Sequence, residues 1–143
     1  MTITVNLPHI ETMMLREILY FLRPAADHEV WLVGGSIRDL LQGQTALPDL
    51  DLATSFNPIP AAREYARTTG AGFVVLDEER KVVRVVRSFK EQHYTFDISM
   101  FRAEGIDADL RARDFTINAI AARLKMPEDN LPATTQSTKT GSE

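Results

Sequence analysis

The chain predicts an α/β (α+β) domain built on a mixed, mostly antiparallel sheet of about five strands with helices on one face. Three observations carry that expectation. Helix and strand patterns alternate over the first seventy residues or so, and a run of strands then follows from Gly72 to Met100, where a doubly wound parallel sheet would need further helices. The length, 143 residues, suits one domain able to bury roughly two-thirds of its unfolded surface. From Met126 the composition turns to Pro, Thr and Ser with few apolar residues, so residues 1–125 read as the domain and 126–143 as a tail or linker.

In chain order, Ile3 to Leu7 is too short to assign. Glu11 to Arg23 carries apolar residues at Met13, Met14, Ile18, Phe21 and Leu22, an amphipathic helix stopped by Pro24. Asp27 to Val33 enters a buried strand, Val30 to Val33, which breaks at Gly34-Gly35 and gives way to a helical pattern from Ser36. There Ile37, Leu40 and Leu41 face the core, Arg38 and Asp39 point elsewhere, and Gly43 is the stop. Free backbone N–H groups at that helix start, beside two glycines without side chains, suit an anion such as phosphate. A Gly-Gly pair also precedes helices in many α/β proteins with no such role.

After Pro48, Asp49-Leu50-Asp51-Leu52 reads as a strand. Residues two apart share a face, so both carboxylates project together while Leu50 and Leu52 enter the core. Two adjacent carboxylates repel, which calls for a raised pKa or a cation between them, and hard oxygen ligands suit magnesium or manganese. Asn57-Pro58 opens a helix that runs through Ala62, Tyr65 and Ala66 to a Gly70 stop. Three strands follow: Gly72 to Leu76, Val82 to Val86, and Tyr94 to Met100, the last two joined as a hairpin around Ser88 to Gln92. In the third, Tyr94, Phe96, Ile98 and Met100 take one face and Thr95, Asp97 and Ser99 the other. Asp97 is then either a solvated strand residue or, on the face of Asp49 and Asp51, a third carboxylate. Gly105 to Arg113 reads as a loop, and Asp114 as the N-cap of a final helix with Ile117, Ile120, Ala121 and Leu124 as its core stripe.

Composition excludes some classes. No cysteine is present, so no disulfide or thiolate metal site forms, in keeping with a reducing, cytoplasmic setting. No apolar run reaches membrane-spanning length, and Met1 to Leu7 lacks the parts of a signal peptide. A net charge of −4 with interspersed signs is not the footprint of a protein gripping long nucleic acid. One basic group, Arg80, Lys81, Arg84, Arg87 and Lys90, is either an RNA contact or the solvated face of a strand.

Leu32-Val33-Gly34-Gly35-Ser36-Ile37-Arg38-Asp39-Leu40-Leu41, followed by Asp49-Leu50-Asp51-Leu52-Ala53-Thr54, resembles the tRNA nucleotidyltransferase and bacterial poly(A) polymerase family, within the polymerase-beta-like nucleotidyltransferases. Asp109-Leu110-Arg111-Ala112-Arg113-Asp114-Phe115-Thr116-Ile117-Asn118-Ala119 is similar to that family's second signature, with Ala112 in place of the first of two arginines. The resemblance spans roughly residues 29–124, the catalytic head, and the family's base-selecting signature is not among these residues.

The resemblance implies a polymerase-beta-like head that adds AMP or CMP to an RNA 3′ end, that of tRNA, from ATP or CTP. Asp49 and Asp51 would hold two Mg²⁺, and Asp97, which the family's acidic residue before a Phe-Arg pair matches, would help activate the 3′-hydroxyl through one of them. Gly34, Gly35, Ser36 and Arg38 would hold the triphosphate, with Asp39 orienting Arg38. Arg113, Asp114 and Asn118, supported by Asp109, would contact the sugar and triphosphate. An alternative is an isolated head that binds Mg–NTP without efficient turnover; the oligomeric state stays open.

Overall fold

Alternation of apolar and polar residues decides which face of a half-buried strand enters the core, and in the computed structural model it does so for Asp49-Leu50-Asp51-Leu52 as the sequence predicts. The structure describes residues 2–3, 9–34, 49–112, 120–126 and 135–139. Asp49–Thr54 is strand β3, with Leu50 and Leu52 buried and Asp49 and Asp51 exposed. Three other strands precede or adjoin it in the same sheet: β1 (Thr2–Ile3), β2 (Val30–Val33) and β6 (Gln92–Met100). With β4 (Gly72–Asp77), β5 (Val82–Phe89), β7 (Ile120–Leu124) and β8 (Thr135–Lys139), they form one sheet in the order β1-β8-β7-β2-β3-β6-β5-β4. All neighbours are antiparallel except β3 and β6. The expected class holds, and the sheet is wider than the five strands expected, with eight among the described residues.

Helix α1 (His9–Leu22) buries Met14, Leu15, Ile18, Leu19 and Leu22, positions that recur every three to four residues and so line one face. It ends where Arg23 takes φ 52 and donates its N–H to the Leu19 carbonyl at 2.8 Å, with Pro24 next. Helix α2 (Ile59–Thr69) starts with the Ile59 N–H bonded to Asn57 Oδ1 at 3.0 Å and stops at Gly70, whose N–H reaches the Ala66 carbonyl. Both helices pack on the Leu50, Leu52, Val83, Val85, Phe96 and Ile98 side of the sheet. Tyr65 of α2 meets Phe21 of α1 edge to face and donates its hydroxyl to Glu17 Oε1 at 2.9 Å; Arg87 of β5 donates to the same oxygen at 3.0 Å. One carboxylate thus ties α1, α2 and β5 together.

A second, smaller core lies on the opposite face, where Trp31, Val33 and Ala53 meet Leu110 and Ala121. Four expectations are corrected. Residues read as a loop contain helix α3 (Ile106–Ala112). It has seven residues, too few to be stable alone, and it persists because Leu110 is buried against that core, worth about 2 kcal/mol. With α3 there, the helices are not confined to one face. Residues read as a final helix are strand β7 in their described part: Val30 pairs with Leu124 and Leu32 with Ala122, so the open edge of β2 supplied hydrogen bonds that outweighed helical spacing. Asp114 and Ile117 lie outside the described residues. Within the expected tail, Thr135–Lys139 is a strand between β7 and β1.

Candidate active site

The site is assembled where β2 ends and β3 and β6 run side by side. Val33 pairs with Asp51, and the chain then turns at Gly34 with φ +81, a left-handed conformation that favours glycine. A Cβ built on Gly34 would stand 3.1 Å from Asp51 Oδ2, so the absence of a side chain also lets the turn approach the carboxylate closely. The rest of the expected phosphate cradle, Gly35, Ser36, Arg38 and Asp39, lies outside the described residues, as do Arg113, Asp114 and Asn118.

The parallel register of β3 and β6 sets Asp51 beside Asp97 and Asp49 beside Thr95. Leu50 and Phe96, one residue earlier in that register, are both in the main core, so Asp49, Asp51 and Asp97 share the opposite, open face. Asp97 is therefore not an isolated solvated residue. Arg84 stands across from it on β5 and donates Nε–H to Oδ1 at 2.7 Å and an Nη2 proton to Oδ2 at 2.9 Å. This bidentate bond, and next the Asp97 charge, raise the Arg84 pKa above its ordinary value, with smaller contributions from Asp49 and Asp51. One guanidinium thus lies in the field of three carboxylates.

Arg84 is the residue that sequence reasoning misplaced. In sequence it belongs to one basic group with Arg80, Lys81, Arg87 and Lys90, and the structure breaks up that group: Arg87 bonds Glu17 on the helical side, Lys81 lies 3.7 Å from Glu78, and Lys90 sits over the Phe89 ring. A signal was present. Once Lys90-Glu91 is taken as a two-residue turn, Phe89 opposes Gln92, and stepping back along both strands puts Arg84 opposite Asp97.

Asp109, expected to support nucleotide binding, is fully buried, and its Oδ1 accepts the Arg102 backbone N–H at 2.6 Å. It fixes the turn that follows β6. That turn borders an open cavity of about 560 Å³ lined by Glu79, Arg80, Lys81, Phe101 and Arg102. Three cations at the end of the strand that bears Asp97 suit an anionic ligand.

The carboxylates fit a divalent cation in kind, being hard oxygen donors gathered on one face. Among the described residues no three acidic groups converge on a single point, and both oxygens of Asp97 are held by Arg84.

A mixed sheet with one parallel pair thus brings acids from two strands onto an open face beside a glycine turn. The chain belongs to the family described as the poly A polymerase head domain, whose model matches residues 30–133. It is 41% identical over 108 residues to a CC-adding tRNA nucleotidyltransferase of Synechocystis, covering 75% of this chain and 25% of that one. The fold is similar to that of the Thermotoga maritima CCA-adding enzyme complexed with tRNA, with a TM-score of 0.69 over 94% of this chain and 32% of the other at 23% identity. A CCA-adding enzyme solved with CTP is 27% identical, with a TM-score of 0.60 over 88% of this chain and 28% of that one. The chain spans about a quarter of the length of the Synechocystis relative.

Proposed function

We propose that this chain is the catalytic head of a template-independent RNA nucleotidyltransferase that adds CMP, AMP or both to a tRNA 3′ end in the cytoplasm. The observation that supports it most directly is the register that places Asp51 beside Asp97, with Asp49 on the same face and Gly34 against Asp51. The tRNA substrate is supported by the Synechocystis relative's name, and CTP by the CCA-adding enzyme solved with it.

In the reaction, the 3′-hydroxyl oxygen of the RNA bonds to the α-phosphorus of the nucleotide and the bond from that phosphorus to the β-phosphate oxygen breaks, releasing pyrophosphate. Asp49 and Asp51, with Asp97, would hold a divalent ion, Mg²⁺ or Mn²⁺, which would supply positive charge at the reacting phosphate. Asp97 supplies the negative charge toward which the hydroxyl proton moves. Gly34, Gly35 and Ser36 offer backbone N–H groups to the triphosphate, and Arg38, oriented by Asp39, offers a guanidinium. Arg113, Asp114 and Asn118 hold the sugar and triphosphate, and Asp109 acts indirectly by fixing the turn at Arg102.

All of these groups recognise parts common to every nucleotide. Telling cytosine from adenine needs hydrogen-bond partners fixed against the base edge, and a chain of net charge −4 is poorly placed to grip RNA alone. Calorimetric titration of residues 1–143 with ATP, CTP, GTP and UTP is therefore expected to show Mg²⁺-dependent, weak binding with less than a tenfold base preference, about 1.4 kcal/mol. Absence of any Mg²⁺-dependent binding would refute the proposal. Extension of a tRNA primer separates a head that turns over from one that only binds Mg–NTP.

A further inference from the structure

Arg84 is charged, yet its strand reads Val-Val-Arg-Val-Val, and on the open face its strand neighbours are Val82 and Val86. Its bond to Asp97 is solvent-accessible, with the two side chains 45% and 29% exposed, and exposed pairs of that kind add little to stability. Packing and stability therefore do not account for it. Position does: Arg84 lies directly across from the one carboxylate that β6 contributes to the face bearing Asp49 and Asp51, and it occupies both oxygens of that carboxylate.

We propose that Arg84 is the resident counter-cation of the carboxylate cluster: it holds Asp97 in the metal-free protein and must release at least one of its two hydrogen bonds when a divalent ion binds, so that it weakens and thereby sets the site's metal affinity. The proposal rests on the nucleotidyltransferase reading above. Its physical content is competition. Three carboxylates on one face repel one another, and the Arg84 guanidinium offsets part of that repulsion while no ion is present. An arriving ion meets an Asp97 whose oxygens are already taken and a positive charge close by. In a water-like dielectric, one charge facing a divalent ion at roughly 5 Å lowers affinity by about tenfold. Arg84 is a positioning residue in this scheme, since it acts through Asp97.

The test titrates the whole chain with Mn²⁺, alone and with ATP, and follows thermal unfolding in EDTA. Arg84→Met removes the charge and both donors, Arg84→Gln removes the charge and keeps a donor, and Arg84→Lys keeps the charge. Met and Gln variants should each bind Mn²⁺ about tenfold more tightly than the wild type, and the Lys variant within about threefold of it. In EDTA the Met variant should melt within about 2 °C of the wild type, since the exposed pair adds little to stability, and it should gain more from saturating Mn²⁺. A purely structural role for Arg84 would instead loosen the site and weaken binding in all three. If the wild type binds Mn²⁺ and the Met and Gln variants bind it equally or less tightly, the counter-cation role is overturned and the functional reading stands. If no form binds Mn²⁺ with or without ATP, the functional reading fails, and this proposal fails with it.

Discussion

Replacing Gly34 with alanine tests whether the turn after β2 is shaped to admit the Asp51 carboxylate, and Gly70 provides the control. The two glycines have nearly the same backbone, φ +81 and φ +77. An alanine in that left-handed region costs about 1–2 kcal/mol wherever it occurs. The surroundings differ. A Cβ at Gly70 meets nothing within 4 Å, whereas one at Gly34 lies 3.1 Å from Asp51 Oδ2 and 3.8 Å from Asp51 Cβ. Asp51 must therefore shift by a few tenths of an ångström or rotate, and in its proposed role as a metal ligand it would tolerate little of either. Both variants should lose about 1–2 kcal/mol, a fall in Tm of about 3–8 °C for a chain of this size. Only Gly34→Ala should also weaken Mg²⁺-dependent ATP binding, by tenfold or more, about 1.4 kcal/mol. Scanning calorimetry without ligand measures the first quantity and isothermal titration the second. If Gly34→Ala binds Mg–ATP as well as Gly70→Ala does, the close approach to Asp51 has no functional weight; if it is as stable as the wild type, the left-handed turn is not required.

Asp49→Asn or Asp51→Asn should abolish Mg²⁺-dependent nucleotide binding while shifting the metal-free Tm by no more than about 2 °C, since both residues are exposed; unchanged Mg–ATP affinity in both would remove them from the site. Arg113→Ala should weaken nucleotide binding more than Arg111→Ala, which alters an exposed residue in the last turn of α3; equal losses would show the second signature to be misaligned. Burial first, and then the bond to Glu17 and that carboxylate's charge, raise the Tyr65 pKa well above the ordinary tyrosine value. Above about pH 10 the unfolded chain loses this proton and the folded one keeps it, so stability falls with rising pH. Tyr65→Phe should cost about 1 kcal/mol at neutral pH, and that deficit should shrink between about pH 9 and 11 in denaturant titrations; a constant deficit would refute the assignment.

What the sequence revealed followed from strong local patterns. Asp49-Leu50-Asp51-Leu52 and Tyr94 to Met100 alternate so regularly that burial could only fall one way, and the helices ending at Arg23 and Gly70 carry both a stripe and a stop. The misses lie where patterns are short or ambiguous. In α3 one buried stripe position is an aspartate, Asp109, so no apolar period shows. Ile120, Ala121 and Leu124 fit a helical spacing, but β2 offers that segment an open edge, which no local window contains. Thr135–Lys139 is polar enough to resemble a linker, yet rich in threonine and able to extend β7. At the site, the shared face of Asp49 and Asp51 was legible because strand periodicity is rigid, whereas the place of Asp97 on it depends on the β3–β6 pairing, which no local pattern contains. Arg84 was not, because its meaning depends on a partner across a hairpin whose register must be counted from the turn.

The parallel pairing of β3 with β6 ties the site to the packing of the whole segment between them. Residues 52 to 96 lie between Asp51 and Asp97, and the two become neighbours only because α2, β4 and β5 fold into a unit that returns the chain to β3. Sub-global opening of that unit, even by fraying of α2 from the far face, separates the carboxylates. The ion proposed to sit between them would thus be linked to the cooperativity of the crossover: its occupancy would raise the free energy of opening, and a loosened α2 would lower occupancy by the same amount. The affinity of the open face is in this sense held partly in the core of the other one, at Ile59, Ala62 and Tyr65.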